Sequence, residues 1–523
     1  MNMYVNSFIK NKKWYMMSKN ICILQAVILT ALLFAGCHRQ QATIKSLSDL
    51  KKGVRLGAMT GTTGEALALK RFSETSIQRF DDVMDAVAAL KAGQVDAVIT
   101  ANPQSINVCK HNHELYILDE PVDYEDAAIA LRKDDTKLAE DMNVIIRKLK
   151  QEGTLADLSR RWLKKDLSPY DTVHIPLPSS GKLLKIGTSA TREPFIFVDA
   201  KGEITGHDGE FSKRIAAGLN RPLQIIDMKF PALIPALISG KIDAIVTGMT
   251  ATEERKKSVL FTDVYFTTTQ VIIAKKPLSA ITGAQTNENF ITSVWHGVSK
   301  SFYNNIILEN RYLIILDGLK ATIEISFFST IIGTLLGALV CFMRMSKRKL
   351  PVMLAKLFIL VLRGTPVLVI LMIVYYVIFA SVNIDAVLVS VFAFGMNFAA
   401  YVSEMFRTGI EGVDRGQTEA GIAIGFSKIK TFYYIIIPQA VKRILPVYKG
   451  ELISMVKMTS VVGYIAVQDL TKASDIIRSR TFDAFFPLIM VAVIYLILSW
   501  LLMMLIGYIE KLSDQKHSVT GRA

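Results

Sequence analysis

The 523-residue sequence predicts two architectures in one chain, a two-lobed α/β domain followed by an all-α bundle of five membrane-spanning helices. Three observations predict this. A twelve-residue unit at 89–100 recurs at 236–247, as expected of two α/β lobes built alike. Apolar runs long enough to cross a bilayer crowd the region after residue 312. The basic residues also cluster beside apolar runs: Lys10, Lys12, Lys13 and Lys19 before the first, Arg344, Lys347, Arg348 and Lys349 after a later one. That placement is the positive-inside pattern of a membrane protein, so the formal net charge of +15 does not point to nucleic acid. A hydrophobic share of 51% suits a chain that is half soluble and half embedded in lipid.

Residues 1–37 read as a signal or anchor, with Met17 as a second possible start. The apolar run from Ile21 to Ala35 is short for a span, and Leu33-Phe34-Ala35-Gly36-Cys37 resembles a lipobox, with Phe34 in place of the usual Leu. That resemblance implies cleavage and diacylation at Cys37; the alternative is an uncleaved anchor helix. Either reading puts the following segment outside the cytoplasm. Cys22 and Cys341 lie in apolar runs, so Cys109 alone remains for the soluble part and no disulfide is expected inside it.

The repeated unit is Ala89-Leu-Lys-Ala-Gly93-Gln-Val-Asp96-Ala-Val-Ile-Thr100 in the first copy. It returns as Ala236-Leu-Ile-Ser-Gly240-Lys-Ile-Asp243-Ala-Ile-Val-Thr247, with six of twelve positions identical. Each copy reads as a helix end, a glycine that stops it and a β-branched strand for a buried parallel sheet. Two such lobes usually enclose a ligand between them.

Gly181-Lys-Leu-Leu-Lys-Ile-Gly-Thr, Glu193-Pro194-Phe195, Gly206-His-Asp208 and Thr247-Gly-Met-Thr-Ala-Thr-Glu-Glu-Arg255 resemble the first lobe of the family 3 polar-amino-acid binding proteins. Leu47-Ser-Asp-Leu50, Gly61-Thr-Thr-Gly64 and Gly153-Thr154 before Trp162 resemble their second lobe with its closing helix. The order is therefore reversed, with lobe 2 at 44–165, a Pro/Ser-rich linker at 166–180 and lobe 1 at 181–277. One circularly permuted type II periplasmic binding domain explains this, and two truncated copies are the alternative. The resemblance implies that Arg255 grips a ligand α-carboxylate with its planar fork, with Gly248 and Thr250 beside it. It implies donors from Thr62 and Thr63 on the opposite lobe, and places Phe230 against the ligand side chain. On the residues alone, Arg255 also reads as an ion-pair partner of Glu253 or Glu254, and the threonines as helix N-caps. Two departures stand out. Ala101 occupies the place of the family's Asp for the α-ammonium, and Ser189 and Arg192 replace another Asp and a stacking aromatic. Asn102, Glu65 and Glu193 are the candidate substitutes.

Expected spans are Ala321–Met343, Leu357–Ala380, Ala386–Ser403, about Ile444–Ala466 and Ala484–Tyr508, the fourth carrying Lys449, Glu451 and Lys457. Between the third and fourth, Glu419-Ala420-Gly421, Gly425, Ile435 and Pro438 stand at the spacing of the E-A-A-x3-G-x9-I-x-L-P loop, with Gly421 for Ala and Ile437 for Leu. With Arg363-Gly-Thr-Pro366 and Ser479-Arg-Thr-Phe482, this resembles the permease subunits of histidine/glutamine-type ABC importers over about 312–511. The resemblance implies a type I importer transmembrane domain whose cytoplasmic loop docks on an ATPase subunit.

The expectation is a subunit of the bacterial inner membrane. Its binding domain lies outside the cytoplasm and its C-terminus inside. It pairs with a second copy of itself and with two ATPase subunits, contacts lipid, and uses no nucleic acid, metal or cofactor. No G-x-x-x-x-G-K-[ST] occurs, so ATP hydrolysis belongs to the partner. His111 and His113 read as solvated loop residues. The rival readings are a ligand-binding membrane sensor without transport and an enzyme on the binding-protein fold.

Overall fold

In the computed structural model, which describes residues 42–163, 170, 172–277, 290–382 and 384–520, the two repeat copies are equivalent down to single hydrogen bonds. Gly93 (φ +73°) and Gly240 (φ +75°) each take the left-handed conformation that ends a helix. The Asp that follows each glycine reaches the start of the neighbouring strand. Asp96 Oδ2 accepts from the Arg55 N–H at 2.8 Å, and Asp243 Oδ2 from the Lys185 N–H at 3.0 Å. Each copy thus pins a parallel strand pair at its mouth. The segment containing Cys37, and positions 166–169 and 171 of the linker, lie outside the described residues.

A leading lobe runs β1 (Arg55–Met59), α1 (Thr63–Arg71), β2 (Ser76–Phe80), α2 (Val83–Lys91), β3 (Ala97–Ala101), α3 (Asn102–His111) and β4 (Leu115–Ile117). Then β5 (Asp123–Leu131) crosses to a trailing lobe that begins with α4 (Thr136–Gln151) and α5 (Thr154–Leu163). That lobe continues through β6 (Leu184–Thr188), β7 (Thr191–Arg192), β8 (Ile196–Val198), β9 (Ile204–Thr205) and α6 (His207–Gly218). It closes with β10 (Leu223–Asp227), α7 (Leu233–Ile238), β11 (Ala244–Ile245) and α8 (Glu253–Lys256), and β12 (Leu260–Lys275) returns to the leading lobe. One mixed sheet in the order β10-β6-β11-β5-β12-β3-β1-β2, with β4 also on β12, passes through both lobes. The antiparallel pair β5/β12 joins them, from Leu131↔Leu260 to Asp123↔Gln270. Beyond that, β12 pairs with β3 and β4.

The packing divides the chain differently from the sequence grouping 44–165. Leu56, Ile99 and Ile272 share the leading core. Ile129, Met142 and Trp162 are buried with Leu184, Ile186 and Phe211 of the trailing lobe, each burial contributing roughly 1.5–3 kcal/mol. The closing helix α5 is also pinned by charge. Arg161 forks onto Glu210 of α6 at 2.8 and 2.6 Å, and Trp162 Nε1 donates to the same carboxylate at 2.8 Å.

The helical half begins with α9 (Phe290–Phe302) and α10 (Tyr312–Arg344), followed by α11 (Lys349–Gly364), α12 (Val367–Ile373) and α13 (Ala386–Glu411). It goes on through α14 (Arg415–Ala423), α15 (Lys428–Thr431), α16 (Ile437–Met458), α17 (Leu470–Thr481) and α18 (Phe486–Thr520). Helices α10 and α13 run in the same direction. Ser329 Oγ donates to the Val391 carbonyl at 3.2 Å, and Arg344 lies 3.6 Å from Glu404. Gly333 and Gly337 sit on this seam. A Cβ on Gly333 would come 2.7 Å from the Gly395 carbonyl oxygen, so only a bare backbone permits the approach.

Three helices, Tyr312–Arg344, Ala386–Glu411 and Phe486–Tyr508, are long and apolar enough to cross a membrane unbroken. The expected span Leu357–Ala380 is not one helix. It bends by 110° between α11 and α12, because Pro366 has no N–H to donate and holds Thr365 extended (φ −111°, ψ 135°). The fourth region also ends in a bend, of 56° between Lys428–Ile465 and α17. Among the described residues the count is therefore three spans, or five when each bent pair is one crossing.

Candidate functional site

The cleft between the lobes gathers residues from both. Thr62 and Thr63 come from the β1–α1 turn, and Ala101 from the end of β3. Arg192, Phe230, Gly248 and Arg255 come from the trailing lobe, and Glu125 and Gln270 from the two connecting strands. The remaining cavity is about 20 Å³, room for about one water, so the lobes are closed on each other. Contacts across the cleft hold this state. Arg255 Nη2 donates to the Gly61 carbonyl at 2.6 Å, and Thr191 Oγ1 to Asp82 Oδ2 at 2.6 Å.

Arg255 makes no pair with Glu253 or Glu254. Its Nη1 donates to the Thr250 carbonyl at 2.8 Å, and its guanidinium lies 5.6 Å from the Phe230 ring centroid. Phe230 therefore supports the arginine itself. Arg192 donates to the Thr247 carbonyl at 2.7 Å and sits 5.5 Å from the Phe195 ring. Burial pulls Arg255 below its usual range, and the nearby Glu125 carboxylate offsets this. Thr62 caps α1, accepting from Glu65 N at 3.4 Å, and also lines the cleft. Thr63 Oγ1 donates to Glu125, as do Thr250 Oγ1 at 2.7 Å and Gln270 Nε2.

Glu125 is the carboxylate that sequence reading missed. Of the three substitutes considered, Glu65 turns outward to Arg79, Asn102 begins α3 outside the cleft lining, and Glu193 is hydrogen-bonded by Tyr170 at 3.0 Å away from it. Glu125 lies in β5, where a charged stretch Asp123-Tyr-Glu-Asp126 precedes the apolar Ala127–Leu131. A buried acid at the edge of such a run was the available signal.

The binding half rests on α17 through both lobes. From the trailing lobe, Lys229 pairs with Asp475, and Asp227 with Lys472 at 2.9 Å. From the leading lobe, Asp85 pairs with Arg478 at 2.7 Å, while Asp81 accepts from Tyr464 at 2.8 Å. His111 closes α3 with its ring stacked on Phe482, centroids 4.8 Å apart, so it is more than a loop residue.

The Glu419 segment is at the far end of α13, which at about 1.5 Å per residue spans roughly 39 Å. Glu419 and Ala420 are exposed, and Gly421 is buried because a Cβ there would come 2.6 Å from the Thr431 methyl. Gly425 makes the turn with φ +92° in open space. Ile435 falls in a π-helical turn, and Pro438 sits in the first turn of α16, where no N–H is required.

The model of bacterial extracellular solute-binding proteins, family 3, matches residues 184–455; only 184–275 of that stretch is α/β in the structure. Over 211 residues, 39% of this chain and 94% of the relative, the sequence is 35% identical to a putative glutamine transport system permease protein GlnP of Rickettsia felis. It is 34% identical over 204 residues, 39% of this chain and 91% of the relative, to the arginine transport system permease protein ArtQ of Bacillus subtilis. A crystal structure of an amino acid ABC transporter with histidines is 33% identical, covering 43% of this chain and 99% of that one at a TM-score of 0.36. The chain is a transport subunit that spans a membrane: it belongs to the amino-acid ABC transporter permeases and carries a family 3 solute-binding region in the same polypeptide.

Proposed function

We propose that the cleft captures one amino acid and delivers it to the permease helices to which it is fused. The observation that carries this reading is the set of three charges around the cleft, with Arg192 and Glu125 buried and Arg255 partly buried. Arg192 and Arg255 suit an α-carboxylate, and Glu125, in the absence of an acid at position 101, suits the α-ammonium. Thr62 and Thr63 close over the ligand from the leading lobe. The lobe order, two crossings through β5 and β12 with α4 and α5 packed on the trailing lobe, supports a single circularly permuted domain with limits near 44–165 and 181–277. Permutation costs little where old termini lie close together.

The exposed segment around Glu419 and Gly425 is the dock for an ATPase, one on each of two paired chains, and lies in the cytoplasm with the C-terminus. The binding half then lies outside, tethered by a lipid on Cys37 or by the anchor helix. Fusion keeps the receptor at a high effective concentration over its own gate.

The test is binding of radiolabelled L-amino acids to the purified full chain. Arg255→Ala is expected to weaken binding by roughly 2–5 kcal/mol, and Glu125→Gln to weaken amino acids far more than their deaminated acids. Unchanged affinity in both variants would remove the amino-acid reading.

A further inference from the structure

The cleft mounts two guanidinium groups in the same way. Arg192 donates from Nη1 to the Thr247 carbonyl at 2.7 Å and is backed by the Phe195 ring, 5.5 Å away. Arg255 donates from Nη1 to the Thr250 carbonyl at 2.8 Å and is backed by the Phe230 ring, 5.6 Å away. The two arginines thus hold opposite ends of one loop, Thr247 to Thr250. Between them the Gly248 N–H donates to Tyr265 OH at 3.1 Å and fixes the loop. Two separately mounted planar forks can each take a carboxylate of their own.

The charge balance points the same way. Among the described residues lining the cleft, Arg192, Arg255 and Glu125 alone are charged. Neither guanidinium forms an ion pair with a described carboxylate; both donate to carbonyl groups. Glu125 takes its hydrogen bonds from the neutral Thr63, Thr250 and Gln270. The lining therefore carries one surplus positive charge, which is costly once the lobes exclude water. Asp208 stands behind Gly248, where a Cβ would lie 3.5 Å from Arg192 Nη1 and 3.9 Å from Asp208 Oδ2. Its Oδ1 is engaged by His207 Nδ1 at 2.9 Å, and it is not part of the lining. A zwitterion leaves the surplus in place, a cationic side chain adds to it, and a second carboxylate removes it.

We propose that the cleft is specific for an acidic amino acid, with Arg255 holding the α-carboxylate, Arg192 the side-chain carboxylate and Glu125 the ammonium. This assignment deepens the amino-acid reading of the cleft and rests on it.

Equilibrium dialysis of the full chain in lipid nanodiscs against radiolabelled L-glutamate, L-aspartate, L-glutamine and L-arginine tests it. The better-bound acid is expected to bind about tenfold more tightly than glutamine, with arginine weakest. Arg192→Gln should weaken that acid by roughly thirtyfold and bring the acid-to-glutamine ratio close to one. Because Arg192→Gln also disturbs the bond to the Thr247 carbonyl, Arg192→Lys is the second variant. It keeps the charge and a donor, and should keep the preference for the acid. Wild-type protein that binds glutamine as tightly as either acid would overturn the acidic assignment and leave the amino-acid reading standing. An acid preference that survives in Arg192→Gln would overturn the role of Arg192. No binding of any of the four would overturn the amino-acid reading as well.

Discussion

Helices α4 and α10 turn opposite kinds of residue outward. In α4 the inward side is Ala139, Met142, Ile146 and Leu149, while Lys137, Glu140, Lys148 and Lys150 face out. In α10 the inward side mixes Gly318, Thr322, Ser326, Ser329, Gly333 and Gly337 with Ile314, Ile315, Ile325, Val340 and Cys341, while Leu316, Phe327, Phe328, Leu335 and Phe342 face out. An outward apolar face is favourable in hydrocarbon and costly in water, so the two halves of the chain are solvated by different media. It follows that α4 is held by hydrophobic burial, and α10 by side-chain packing together with close backbone approach and interhelical hydrogen bonds.

The largest expected contrast comes from the same kind of truncation on the two helices. Met142→Ala should cost about 2–5 kcal/mol, because its side chain is fully enclosed. Leu335→Ala should cost less than about 0.5 kcal/mol in detergent, since Leu335 is 69% exposed. Thermal unfolding of the two variants side by side checks this, and equal losses would break the comparison. Gly333→Ala is next, at about 1–3 kcal/mol, because the Gly395 carbonyl must move away from the added methyl. A melting temperature as high as wild type would show that α10 and α13 do not meet at this seam.

Protons should separate the halves by a smaller margin. Burial raises the Glu210 carboxyl, but donors from Arg161, Trp162 and Arg214 outweigh it and hold the group below its ordinary value. Its folded pKa is therefore depressed. The stabilisation is present above the unfolded value of about 4.3 and is lost as pH falls through the folded pKa. Unfolding of the binding half is expected to become easier below about pH 4, and Glu210→Gln should flatten that acid limb while lowering stability at neutral pH. The glycine contacts of the α10–α13 seam, at Gly333 and Gly337, carry no titratable group and should show no such limb.

Much of this was legible in the sequence where one local pattern had one physical meaning. The repeat located β3 and β11 because a glycine after a helix and a β-branched run admit few other folds. Gly425 was readable as a turn, and it takes φ +92°. The residues drawn from motifs around Arg255 do come together in one cleft. Glu125 was not legible, because its inward position depends on the β5/β12 register (Glu125↔Thr268), which no local pattern states. The 110° bend was not part of the expectation although its signal was present, since Pro366 stands inside the expected span Leu357–Ala380. The ion pairs of Asp475 and Arg478 join positions more than two hundred residues apart. Their helix read only as a short motif at Ser479–Phe482.

The path of the chain through the two lobes also decides which lobe is leashed. Tyr116 of β4 hydrogen-bonds the Ile44 carbonyl where the chain enters the α/β half, and Lys275 lies opposite Leu115 of the same strand where it leaves. Entry and exit thus share one three-residue strand of the leading lobe. The trailing lobe, which supplies Arg192 and Arg255, is joined to the chain only through β5 and β12. The arrangement is that of an anvil fixed at both ends and a hammer on a two-strand hinge. Opening of the cleft would therefore move the half of the site that carries Arg192 and Arg255, and would load the contacts of Lys229 and Asp227 with α17.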